Sequence, residues 1–159
     1  MCEILCSTGA LLGKSNNRDY RLLEPLSKQL MCDGYEFMMY SSWYEEVDAL
    51  VSKLQEMNLY IPVMHCEKHI GENISKGGEE ELIEAYKLFE INCNIAQSIG
   101  AKKLVIHLWD GLTSDRNFQS NLQAYFQLDN IAKKYGVDLL VENVVCNFYI
   151  RNYFSAFSF

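Results

Sequence analysis

Positive charge is scarce in this chain. Fourteen lysines and arginines face 21 aspartates and glutamates in 159 residues, a formal net charge of -7. Affinity built on neutralising nucleic-acid phosphates needs a basic surface, so nucleic acid is not an expected partner. No apolar run approaches the roughly 20 residues that span a bilayer, which removes the membrane as well. The opening segment "CEILCSTGALLGKSNN" carries an early acid and no basic stretch ahead of an apolar one, so no secretory leader is expected. The six cysteines, Cys2, Cys6, Cys32, Cys66, Cys93 and Cys146, form no CxxC pair or zinc-knuckle spacing. Several sit in apolar segments, where a thiol behaves as a small hydrophobe, and a reduced cytoplasmic setting is the expectation. No GxGxxG or GxxxxGK[ST] follows a strand-like segment, so the phosphate-cradling turns of dinucleotide and P-loop proteins are missing.

What the chain does have is hydrophobic residues, 49% of the total, enough for one domain with a substantial core. "EILCSTGALLG" reads as a strand running into a Gly-containing loop, and "SNNRDY" offers Asn or Asp as a helix cap. A helix follows with Leu22, Leu23, Leu26 and Leu30 on one face, Pro25 in its first turn and Gly34 as its stop. "YEFMMY" is a second strand, and Val47, Leu50, Val51, Leu54 and Met57 recur at helical steps after it. "LYIPVMHCE" is the third, its apolar run suiting a parallel strand covered on both faces and Pro62 hinting at its start. "GGEEELIEAYKLFEINCNIAQSIG" opens with acids that suit a helix N-terminus, places Leu82, Ala85, Phe89, Cys93 and Ala96 on one face, and closes at Gly100. "KKLVIHLW" is the fourth strand. Phe118, Leu122, Tyr125 and Ile131 mark a last helix ending at Gly136, and "VDLLVENVV" is the fifth strand.

Strand and helix therefore alternate four times before a final strand, which argues an α/β fold with a parallel sheet and right-handed crossovers. The repeat of roughly 30 to 35 residues matches a barrel of about 250 residues in eight units, so the expected architecture is a partial (β/α)8 TIM barrel of about five parallel strands and four intervening helices.

In such a barrel the carboxyl ends of the strands point into one pocket. His65, His107 and Glu142 each close their own predicted strand, and imidazole and carboxylate are the usual N and O ligands for Zn, Mn and related ions. A lone histidine near an apolar strand is ordinarily a satisfied core or loop residue; three candidates at equivalent positions point instead to a shared pocket. Glu142 has the sharpest case, since a charge after "DLLV" in a buried strand is costly unless it meets a cation or donors. The bland alternative is a glutamate just past the strand, paired to a lysine. Glu36 on the second strand reads as polar support at the barrel mouth. Glu67 and His69 are expected in a loop, as rim residues only. Trp109 and Asp110 suit a sugar-stacking face and a polar contact, or Trp109 packs under its loop. Asn143 points away from Glu142 if the strand continues. Cys66 adjoins His65 but faces the opposite side, so a Cys-His nucleophile has little support.

"CDGYEFMMY", "VMHCE", "AQSIGAKKLVIHLWDG" and "AKKYGVDLLVENV" together resemble the xylose isomerase-like barrel superfamily, which holds sugar phosphate isomerases and epimerases and the endonuclease four type DNA-repair enzymes. The resemblance covers about residues 1–146 and lies in the order and spacing of short motifs. It implies that Glu142 is a metal ligand and catalytic acid or base, and that His65 and His107 line the substrate pocket, to which the reading of the residues adds Glu36 and Trp109. It also implies a divalent metal cofactor (Mn, Mg, Co or Zn) and a small-molecule sugar or sugar phosphate as substrate. In the repair branch the same three strand ends hold zinc; the "VEN" of strand five and the charge of -7 favour the sugar branch.

The family's remaining ligands, an aspartate, a histidine and a second glutamate, come from strands six to eight. The chain is accordingly expected to be truncated after strand five and inactive alone, an isomerase or epimerase by ancestry. A non-enzymatic half-barrel that self-associates through its exposed edges as a homo-oligomer is the remaining alternative. "NFYIRNYFSAFSF", residues 147–159, has six aromatics and no acid; it reads either as cover for an exposed edge or as non-native sequence.

Overall fold

A computed structural model describes residues 3–109, 118–142 and 144. Five parallel strands form one sheet in the order β1-β2-β3-β4-β5. They are β1 Leu5–Ser7, β2 Gly34–Met38, β3 Val63–His65, β4 Lys103–Ile106 and β5 Asp138–Val141. The helices are α1 Leu23–Ser27, α2 Val47–Met57, α3 His69–Lys76, α4 Glu79–Ser98 and α5 Phe118–Lys134. Sequential order and parallel pairing are what an unclosed (β/α) barrel requires. The aromatic tail, Asp110, Asn143, Cys2 and Cys146 lie outside the described residues.

Alternation along each strand divides the sheet into two faces. Phe37, Met64, Cys66, Leu104 and Ile106 point to the helices, and all are 1% exposed or less. They meet Leu50 and Leu54 of α2, Ala85, Phe89, Cys93 and Ala96 of α4, and Leu128 and Ala132 of α5 in one core. The periodicity thus located the buried face of α2 and α4. Leu82 packs at its margin. Gly100 and Gly136 end α4 and α5 with φ of +82° and +66°, a conformation that costs other residues.

Four local expectations are revised. The first helix is mostly 3-10 turns, at Thr8–Ala10, Lys14–Asn16 and Tyr20–Leu22, ahead of a five-residue α1. Asp19 does cap, accepting from the Arg21 N–H at 3.0 Å, but Leu30 lies past the helix and is exposed, and Gly34 begins β2 rather than merely stopping a helix. On α5 the buried stripe is Asn121, Ala124, Leu128, Ile131 and Ala132, whereas Leu122 is exposed: the buried asparagine concealed the phase. The third crossover holds two helices, because the segment read as a loop after strand three is α3, closed by Gly77. Finally, β5 is not covered on both faces; Leu140 and Val141 are each 41% exposed.

Candidate metal and substrate site

The three strand-end residues converge. Leu140 of β5 pairs in register with Val105 of β4, and Val105 with His65 of β3. Two residues beyond Val105 and Leu140 stand His107 and Glu142, on the same face by the period of a strand. The ladder continues past the strand ends: the Cys66 N–H donates to the Val105 carbonyl at 2.8 Å and the Glu142 N–H to the Ile106 carbonyl at 3.0 Å. Backbone pairing therefore brings all three residues to one end and one face of the sheet.

Nε2 of His65 lies 3.0 Å from Oε2 of Glu142, and Nε2 of His107 lies 3.2 Å from the same oxygen. The two imidazoles meet edge to face with centroids 4.8 Å apart. One donor atom from each residue falls within a 4.8 Å cluster. His65 Nδ1 sits 2.9 Å from the Cys66 carbonyl. A carbonyl only accepts, so Nδ1 carries a proton and Nε2 is the ring nitrogen turned towards the carboxylate. At 3.0 Å, Nε2 and the carboxylate oxygen need a proton or a cation between them. The donor set, two imidazoles and one carboxylate with an outer carbonyl orienting one ring, fits a divalent ion.

The hydrogen bond from His65 holds the Glu142 carboxyl below its ordinary value; partial burial works the other way, and His107 adds to the lowering. The expectation of a costly buried glutamate is overturned, since this side chain is 51% exposed. Among the described residues no lysine pairs with it. The histidines are the buried partners, at 3% and 8% exposure.

These residues form one wall of an open cleft of about 570 Å³ on the uncovered face of the sheet. Glu36 lines it from β2 and accepts from the Ser7 hydroxyl at 3.3 Å. Ser7, Met38 and Lys68 also line it, and the sequence did not point to them. Ser7 was findable, as the last residue of the first strand in the row that contains Glu36. Lys68 was not, because its position depends on where α3 begins.

No known family's sequence model matches the chain, and no curated protein sequence does. Solved structures do match. The TTHB071 protein from Thermus thermophilus, from a structure soaked with ZnCl2, superposes with a TM-score of 0.65 at 18% identity, over 89% of this chain and 55% of that one. D-allulose 3-epimerase from a Methylomonas species gives 0.61 at 17% identity, over 91% and 53%, both in one structure and in a complex with D-allulose. A xylose isomerase domain protein from Planctomyces limnophilus gives 0.53 at 13% identity, over 75% and 47%. The chain shares the α/β fold of these proteins over the part that it spans. It spans about half the length of each of these structures.

Within that fold the remaining candidates separate. Trp109 is 2% exposed and belongs to the buried core, which removes it as a sugar-stacking face. His69 is corrected from loop to the first residue of α3, while Glu67 lies in the loop just before it. Glu67 is 5% exposed and accepts from the His69 N–H at 3.0 Å and from His69 Nδ1 at 2.7 Å, so it caps the start of α3. Cys66 faces the core, away from His65, and burial pushes its thiol well above the ordinary value. It is no nucleophile.

Proposed function

We propose that this chain supplies the metal- and substrate-binding wall of a sugar isomerase or epimerase, with His65, His107 and Glu142 holding a divalent ion and a sugar or sugar phosphate lying against it. The observation that carries this is the convergence of two imidazole nitrogens on one carboxylate oxygen, at 3.0 and 3.2 Å, inside an open cleft. A zinc-soaked structure and a D-allulose complex among the proteins of like fold support the same reading. When bound, such an ion polarises a carbonyl and its neighbouring hydroxyl and eases removal of the α proton.

The side chains take the remaining roles. Glu142 stays ionised to a lower pH than an ordinary glutamate, so it is charged and open to the cleft as a proton acceptor. Glu36, steadied by Ser7, accepts from sugar hydroxyls. Lys68, the lysine or arginine among the described lining residues, suits a phosphate at the cleft rim. Both lining carboxylates come from the one sheet wall, and isomerisation or epimerisation needs a second acid or base facing across the substrate. The 159-residue chain assayed alone therefore binds but does not turn over.

Calorimetric titration of the purified chain with Zn²⁺ or Mn²⁺ tests the site. One ion per chain is expected, with binding lost in Glu142→Gln; absence of binding by the wild type would refute the metal reading. Aldose–ketose or epimerase turnover by the 159-residue chain would refute its silence.

A further inference from the structure

His107 lies beyond the end of β4, where strand pairing no longer fixes it on every side, yet its ring must meet His65 and Glu142 together. We propose that Gly71, Ser75 and Asn121 form a clamp, built from α3 and α5, that positions His107 in the cleft. Its consequence for metal binding rests on the reading of His107 as a ligand.

Two kinds of contact make the clamp. Gly71 is buried with its Cα against the His107 backbone; a Cβ there would stand 3.0 Å from the His107 carbonyl carbon and from the Trp109 nitrogen, and closer still to the His107 carbonyl oxygen. Any side chain would push α3 away or drive the His107–Trp109 segment towards the cleft. The second contact is directional. The Asn121 amide, fully buried on α5, donates to the Leu108 carbonyl at 2.7 Å and to the Ser75 hydroxyl at 3.0 Å. Ser75 in turn donates to the Gly71 carbonyl at 2.9 Å, so the two helices and the strand end are tied in one network.

A leucine at 121 would fill the core without the cost of dehydrating an amide. What the amide adds is direction: it fixes the carbonyl next to His107 from behind, while Gly71 sets how closely α3 approaches. Support of this kind around a ligand is worth about 10- to 100-fold in metal affinity.

The test compares Gly71→Ala, Asn121→Ala and the milder Ser75→Ala with Leu50→Ala, which weakens the core at α2 far from the clamp. Histidine side-chain NMR on metal-free protein reads the His65–His107 ring contact, and calorimetry with Zn²⁺ reads affinity. The expected result is a weakened ring-to-ring cross-peak and an affinity roughly tenfold or more lower in the folded clamp variants, with both retained in Leu50→Ala. An unchanged cross-peak in folded Asn121→Ala and Ser75→Ala would overturn the clamp, as would its equal loss in Leu50→Ala. A cross-peak lost only in the clamp variants supports the clamp even if wild type binds no zinc, which would sink the metal reading alone.

Discussion

Glu142 reaches across β4 to His65: its Oε2 lies 3.0 Å from an imidazole two strands away, and His107 joins the same oxygen from the strand between. One half-exposed carboxylate thus gathers two buried rings. With its Nδ1 held on the Cys66 carbonyl, His65 turns Nε2 to the shared oxygen, which is the atom that would meet a bound cation.

Removing the shared carboxylate should cost more than removing an outer support. Glu142→Gln and His107→Ala are each expected to lower Zn²⁺ affinity beyond the roughly 10- to 100-fold typical of outer-shell changes. Metal content after dialysis measures this, and stoichiometric zinc in Glu142→Gln would place the ion elsewhere.

The buried thiols predict an alkaline limit. Burial, aided by the Glu90 charge, pushes Cys93 up to about 12, while an unfolded cysteine ionises near 8.5. With the folded value raised, the stabilisation is complete below about pH 8.5 and lost as pH rises towards about 12. Cys66 acts in the same direction. Urea titrations between pH 8 and 10.5 should show falling stability, lessened in Cys93→Ala relative to its own value at pH 7. Mass spectrometry should find neither thiol alkylated in the folded protein at pH 8.

Core and surface aromatics should separate cleanly. Phe89 is fully buried on α4 and Phe126 is 70% exposed on α5. Phe89→Ala is expected to cost about 3–5 kcal/mol, and Phe126→Ala to stay within about 0.5 kcal/mol. Equal midpoint shifts in chemical denaturation would contradict the burial pattern.

Glu67 should matter to α3 rather than to chemistry. Glu67→Ala removes the acceptor for the His69 N–H and ring, with a cost of about 1–2 kcal/mol by the usual worth of a helix cap. Glu67→Gln should recover part of it. Faster hydrogen exchange in residues 69–72 is the signature to seek; unchanged exchange in the alanine variant would remove the capping role.

Much of this was legible from apolar spacing. The stripes Leu50–Leu54 and Ala85–Phe89–Cys93 mark buried helix faces because 3.6-residue and two-residue periods leave unmistakable patterns. Where a polar residue carries packing, the pattern fails. Asn121 hid the phase of α5, and α3, with Gly71 and Ser75 among its buried residues, looked like a loop. The two small or polar residues that obscured it are members of the proposed clamp.

Sequence by itself determined the alternation, the parallel order and the three strand ends that carry donors, because these depend on local period and on residue chemistry. Tertiary structure decided the rest. Only register across three strands brings Glu142 within reach of both histidines, only packing buries Trp109 in the core instead of leaving it in the cleft, and only the close approach of α3 turns Gly71 from a loop glycine into a contact with His107. Each is a distance between residues far apart in the chain, which no local pattern encodes.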